Sequence, residues 1–149
     1  MSASSHHTAK TIVFTCMDER LETYISSLIQ SFEGGAFHAA MAGGGAAFAA
    51  ESDSAVALKQ VLAAYKINHI TDVYLQSHHD CGAYGLSGVV FHSRQEETSR
   101  LYADLDLATD MIKAALAESG EGSVELTIHT EVINLAGEKI ERPLLAHVG

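Results

Sequence analysis

The chain alternates short continuous apolar runs with longer stretches whose apolar residues recur at helical spacing. In "KTIVFTCMD" the run over 11–15 marks a buried strand and leaves Cys16 at its carboxyl end. Leu21, Tyr24, Ile25, Leu28, Ile29 and Phe32 then fall on one face of a helix, which Gly34 and Gly35 stop. Positions 36–41 form a second strand, weakly marked because alanine is a poor strand former. After the loop "AGGGA" a second helix is predicted over 52–65. Leu58, Val61, Leu62 and Tyr65 mark its apolar face, and Ser52 or Asp53 is its candidate cap. A third strand covers 70–76, and "SHHDCG" follows it at once. The long helix predicted over 95–118 carries Leu101, Leu105, Ala108, Met111, Ile112, Ala115 and Leu116 on one side, and "GEGS" breaks it. A fourth strand over 124–133, a turn at "NLAGEK" and a short antiparallel strand over 139–144 complete the chain.

Strands that alternate with helices predict a parallel sheet covered on both faces. The expected architecture is a three-layer α/β/α domain over 1–149. Its centre is a mostly parallel four-stranded sheet with a short antiparallel edge strand, and residues 1–9 form a flexible arm. Ligands in such sheets bind beyond the carboxyl ends of the strands, near a switch point. Cys16 follows the first strand and the cluster His78, His79, Asp80, Cys81 follows the third. If those strands are neighbours, the two groups meet on one rim.

Composition narrows the function. The chain has 149 residues, 47% apolar and 19% charged, which fits one globular domain. Its net charge of −10 repels phosphate backbones and argues against a nucleic-acid partner. No apolar run approaches the roughly 20 residues that span a bilayer. The N-terminus lacks the apolar stretch of a signal peptide. Two cysteines do not make a disulfide scaffold, so the expectation is a cytoplasmic protein with reduced thiols.

His78 and Cys81 stand three apart, so a turn can aim both side chains at one point, and Cys16 would add a third ligand. Three protein ligands leave a fourth position open, the catalytic arrangement for zinc. A structural site would close with another cysteine or histidine, and no third cysteine exists. His79 could bind in place of His78; the H-x-x-C spacing selects His78.

"CMDER" (Cys16, Asp18, Arg20), "AGG" (Ala42, Gly43, Gly44) and "HHDCG" (His78, Cys81, Gly82), in this order, resemble the β-class carbonic anhydrases. The resemblance covers roughly the first two-thirds of the chain. It implies Zn2+ held by Cys16, His78 and Cys81, with Asp18 and Arg20 as a catalytic pair. It implies reversible hydration of carbon dioxide to bicarbonate and a proton by zinc-bound hydroxide. It also implies a homodimer or higher homo-oligomer with active sites near the subunit interface. Zinc lowers the pKa of its water toward about 7. Asp18 would orient the nucleophile and Arg20 would hold Asp18 ionised. In some family members the equivalent aspartate instead closes the zinc site, and both forms stay open here. His79 or His92 could carry the proton away. Gly43, Gly44 and Tyr84 are candidate pocket residues; the glycines could equally form only a tight turn, and Tyr84 could simply pack.

One departure matters. The family usually has an Arg-Asn pair before its glycine loop, and here Ala40, Met41 or Ala42 stands there. An apolar lining suits CO2, and it suits COS or CS2, which relatives with this zinc site hydrolyse. A catalytically weak zinc-binding homologue is a further alternative. Cys16 as a phosphatase-like nucleophile would need an arginine where Glu22 stands. A Cys16–Cys81 redox switch would need no metal.

Overall fold

The structure, a computed structural model, describes residues 6–120 and 125–144. Five strands form one sheet in the order β2-β1-β3-β4-β5. They are β1 (Thr11–Cys16), β2 (Phe37–Met41), β3 (Asp72–His78), β4 (Thr127–Ile133) and β5 (Lys139–Ile140). The first four are mutually parallel and β5 runs antiparallel to β4. Every residue of β1 is buried, which explains why its sequence is an uninterrupted apolar run rather than an alternation.

Helices cover both faces. α2 (Glu51–Asn68) and α4 (Arg94–Glu118) lie over the face that carries Ile12, Phe14, Val73, Leu75 and Val132. Val61, Leu101, Leu105, Ala108 and Ile112 complete that core. On the other face α1 (Glu22–Ser31) packs Ile25 against Ile133 at the end of β4. That face is more polar: Tyr24, Tyr74 and Gln76 all donate hydrogen bonds to the buried carboxylate of Glu131.

α2 starts at Glu51, so the expected caps Ser52 and Asp53 lie inside its first turn, and Ala50 occupies the cap position. Residues 121–124, where the fourth strand was expected to begin, lie outside the described residues, as do residues 1–5 of the expected arm. Ala9, also placed in that arm, is buried, and its carbonyl accepts a hydrogen bond from Asn68. Among the described residues no helix is long and apolar enough to cross a membrane.

The topology fixes where chemistry can occur. From β1 the chain moves outward to β2, then returns across β1 to form β3. The direction of winding therefore reverses between β1 and β3, and the carboxyl ends of these two strands flank the crevice that results. Cys16 is the last residue of β1 and His78 the last of β3.

Candidate metal centre

β3 runs two residues further than its apolar pattern predicts, because Ser77 and His78 pair with Val132 and Ile133 of β4. His78 is thus held by the sheet itself rather than by a loop. A turn through Asp80, whose φ of 59° is left-handed, then brings Cys81 back beside the strand end. Cys81 caps a short helix, α3 (Gly82–Leu86). The Sγ atoms of Cys16 and Cys81 lie 3.8 Å apart. Two sulfurs bound at about 2.3 Å to one tetrahedral ion would stand about 3.8 Å apart. The two sulfurs and a ring nitrogen of His78 lie within 4.8 Å of one another, and all three residues are buried.

The imidazole of His78 has its tautomer assigned by its partners. Nδ1–H donates to the carbonyl of His79 at 2.6 Å, which leaves Nε2 as the acceptor. Nε2 is buried with no hydrogen-bond partner among the described residues. A buried acceptor with no oxygen or nitrogen partner, beside two thiols, is a position that a metal ion can fill. A donor set of two sulfurs and one imidazole, with the second ring nitrogen tied to a backbone carbonyl, fits a metal such as zinc.

Backbone N–H groups favour thiolate at this rim. The backbone of Gly43 acts on both sulfurs, that of Asp18 on Cys16 and that of Ala83 on Cys81. The pair behaves as a unit. Cys16 is pulled well down by the Cys81 hydrogen bond, and Cys81 is pushed up, first by Cys16 and then by burial.

Asp18 follows β1 and caps a short 3-10 turn, Glu19–Leu21. It accepts the Arg20 N–H at 2.9 Å, and Arg20 Nη2 reaches its Oδ2 at 2.6 Å. These Arg20 contacts hold the Asp18 carboxyl down at about 2, against the smaller opposing effect of burial. Asp18 Oδ2 lies 3.6 Å from His78 Nε2. The carboxylate stands beside the Cys16, His78 and Cys81 cluster, not within it. Arg20 also donates from Nη2 to the carbonyl of Asp80 at 3.0 Å, so one guanidinium joins the segments that follow β1 and β3.

The remaining expected residues divide. Gly43 lines a cleft of about 330 Å³ with Ala42, Ala46, Ala47 and Ala83, and Asp53, Arg100 and Asp104 line it too. Gly44 is packing: a Cβ there would sit 2.3 Å from the Gln76 carbonyl oxygen. Tyr84 lines that cleft and also a second one that reaches Cys81 and His92. Its hydroxyl donates to Asp104, and burial, then Asp104, pushes its ionisation up. His92 is exposed, while His79 is buried with Nε2 at 2.7 Å from Thr98 Oγ1. Where an Arg-Asn pair was expected there are Ala40, Met41 and Ala42; Met41 packs against the main core and Ala42 lines the cleft.

Motif spacing did not single out Arg94, Glu97 and Thr98, which hold the His79–Asp80 segment from the start of α4. A signal existed in "SRQE": Ser93 accepts the Glu96 N–H, fixing the start of the helix at Arg94. That start places Glu97 in the first turn and Thr98 just after it.

No protein-family model and no curated protein matches this chain. Solved structures do. The carbonic anhydrase of Streptococcus mutans aligns with a TM-score of 0.56 at 17% identity, covering 93% of this chain and 84% of that one. A tetrameric β-carbonic anhydrase of the ascomycete Sordaria macrospora gives 0.53 at 16% identity, covering 93% and 82%. The β-carbonic anhydrase CafA of Aspergillus fumigatus gives 0.50 at 12% identity, covering 95% and 79%. The chain therefore has the β-carbonic-anhydrase fold: a mainly parallel sheet with one antiparallel edge strand. Its buried Cys-His-Cys cluster is compatible with a metal site.

Proposed function

We propose that this chain is a zinc-dependent carbonic anhydrase, with Cys16, His78 and Cys81 as ligands. The observation that carries the proposal is His78 Nε2, a buried and unmet acceptor gathered with two thiols set at the edge length of a tetrahedral ion. Bound zinc would supply a Lewis acid that brings the ionisation of water toward neutral pH. The chain's own groups do the rest. Asp18, kept ionised by Arg20, accepts a hydrogen bond from the attacking water and orients it. Asp18 is already committed to Arg20 at both oxygens, which favours the form in which it stays beside the metal rather than closing the site. Ala42, Gly43, Ala83 and Tyr84 line a cleft of a size that admits a small uncharged substrate. Addition of water to CO2 yields bicarbonate and one proton. His92, exposed on the cleft that reaches Cys81, is placed to pass that proton to solvent; His79 is spent on Thr98.

The small residues on that cleft also suit a second reading, hydrolysis of COS or CS2 at this centre. Stopped-flow CO2 hydration on protein of known zinc content, with COS and CS2 run in parallel, separates the two. Turnover of CO2 that scales with zinc is the expected result. Full zinc occupancy with no CO2 turnover at any pH near neutrality would sink the proposal and leave a sulfur substrate or a weak homologue. We take the working form to be a homodimer, since Leu86 and Val90 are 92% and 72% exposed beside these clefts and self-association would cover them. Two free thiols suit a reducing cytoplasmic setting.

A further inference from the structure

We propose that Glu97 is a positioning residue for the metal centre, acting on His78 through a single peptide group. The inference rests on the reading of Cys16, His78 and Cys81 as ligands. The peptide group in question joins His79 to Asp80. Its carbonyl accepts the His78 Nδ1–H at 2.6 Å, and its N–H donates to Glu97 Oε2 at 2.7 Å. The carboxylate, the peptide and the imidazole thus form one hydrogen-bonded chain that ends at Nε2. Metal-binding histidines commonly give their second N–H to a carboxylate or a carbonyl, which fixes the ring and strengthens it as a ligand. Here both devices act in series. A negative charge at the N–H end polarises the peptide and makes its carbonyl a better acceptor.

Glu97 is suited to that task. It is 5% exposed, so its charge is little screened by solvent. Its other oxygen accepts from Arg94 Nη1 at 2.7 Å, which supplies a counter-charge and fixes the rotamer. Arg94 also grips the Asp80 carboxylate with both terminal nitrogens, at 2.9 and 2.7 Å. Thr98 donates to the Arg94 carbonyl, so it accepts from the ring of His79. The start of α4 therefore holds residues 79 and 80 from three side chains. The segment needs such holding: Asp80 is left-handed, a conformation that costs a residue other than glycine roughly 1–2 kcal/mol.

The test compares wild type with Glu97→Gln, which keeps the shape and removes the charge, and with Arg94→Met on the exposed side of the network. Zinc affinity is read by chelator competition, and geometry by the visible spectrum of the cobalt-substituted protein. Melting of the metal-free forms reports any purely structural loss. The expected result for Glu97→Gln is zinc binding weakened about 10- to 100-fold with a shifted cobalt spectrum. Arg94→Met frees the Glu97 rotamer but leaves its charge, so it should change zinc affinity less than Glu97→Gln does. Equal zinc affinity and an unchanged cobalt spectrum in both variants would overturn the inference, whatever their melting temperatures. Wild-type protein that takes up no zinc would overturn it together with the proposed function. Wild-type protein that binds zinc but does not hydrate CO2 overturns only the activity, and the affinity comparison still decides the role of Glu97.

Discussion

Cys16 and Cys81 are 65 residues apart in the chain, and their sulfurs are 3.8 Å apart at the reversal point of the sheet. Cys16 ends β1, and Cys81 follows the turn after β3. Replacing either with serine removes one of the three proposed protein ligands. Zinc per chain should fall well below one after gel filtration, and the melting temperature should drop toward that of the metal-free wild type, because metal binding and folding are linked. Metal analysis beside calorimetry checks this. Both variants retaining a full complement of zinc would place the site elsewhere.

Asp18 lies 3.6 Å from His78 Nε2, yet Arg20 occupies its oxygens. Asp18→Asn should therefore retain zinc and lose most turnover, since the amide can no longer act purely as an acceptor. Unchanged CO2 hydration in a zinc-replete variant would remove Asp18 from the mechanism.

The same pair predicts a pH dependence. Arg20 holds the Asp18 carboxyl at about 2, below its ordinary value of 3.8. A depressed carboxylate contributes stability that is complete above the ordinary value and is lost as pH falls through the depressed one. In the metal-free protein, urea midpoints should decline as pH drops from about 4 toward 2, and less steeply in Asp18→Asn. Asp72 and Asp80 are also depressed, by Thr71 and Arg94 first, so the difference between the two proteins is the informative quantity. Parallel curves would mean that the ion pair persists in the unfolded chain.

That Cys16, His78 and Cys81 lie together was legible in the sequence, and the reasons are specific. Cys16 and His78 could be paired because parallel sheets place ligands at strand ends, and because H-x-x-C spacing suits one turn. The face of α4 from Leu101 to Leu116 could be read because it packs on one side only. The end of β3 was missed by two residues, since Ser77 and His78 look like loop residues and are strand residues only through β4. The 3-10 segment Gly44–Ala49 looked like a loop, because small residues carry no periodic pattern; they are small so that the backbone can lie under Leu105 and Leu75. Glu97 was invisible for another reason. An acidic residue in a first helical turn normally reads as solvated and dipole-favoured, and its partner here is a backbone N–H, which no residue pattern records.

Gly44 tests whether the rim is as tight as it looks. Its φ is 58°, and a Cβ would meet the Gln76 carbonyl oxygen at 2.3 Å and the Cys16 nitrogen at 3.0 Å. Backbone, not a flexible side-chain end, stands in the way. Gly44→Ala should push β1 and β3 apart at their carboxyl ends, costing more than the roughly 1 kcal/mol typical of a point substitution. It should also weaken zinc binding, because the same ends carry Cys16 and His78. Wild-type zinc affinity in a folded Gly44→Ala protein would show that the strand ends and the metal centre are mechanically independent.

The Glu131 network, on the face of the sheet that α1 covers, offers a control for all these effects. Glu131 is buried, and Tyr24, Tyr74 and Gln76 converge on its carboxylate. Burial first, and the Glu131 carboxylate after it, pushes the Tyr24 hydroxyl up to about 12 and Tyr74 higher still. Groups raised in this way stabilise the fold below their ordinary value, about 10, and that stability is lost as pH rises through the raised one. Tyr74→Phe removes one donor from a buried charge and should cost about 1–3 kcal/mol in urea unfolding near neutral pH. None of these side chains lines the clefts around Cys16 or Cys81, so zinc content should not change. A loss of zinc in Tyr74→Phe would mean that destabilisation anywhere in the sheet reaches the metal, and the losses expected for Gly44→Ala could then no longer be assigned to local geometry.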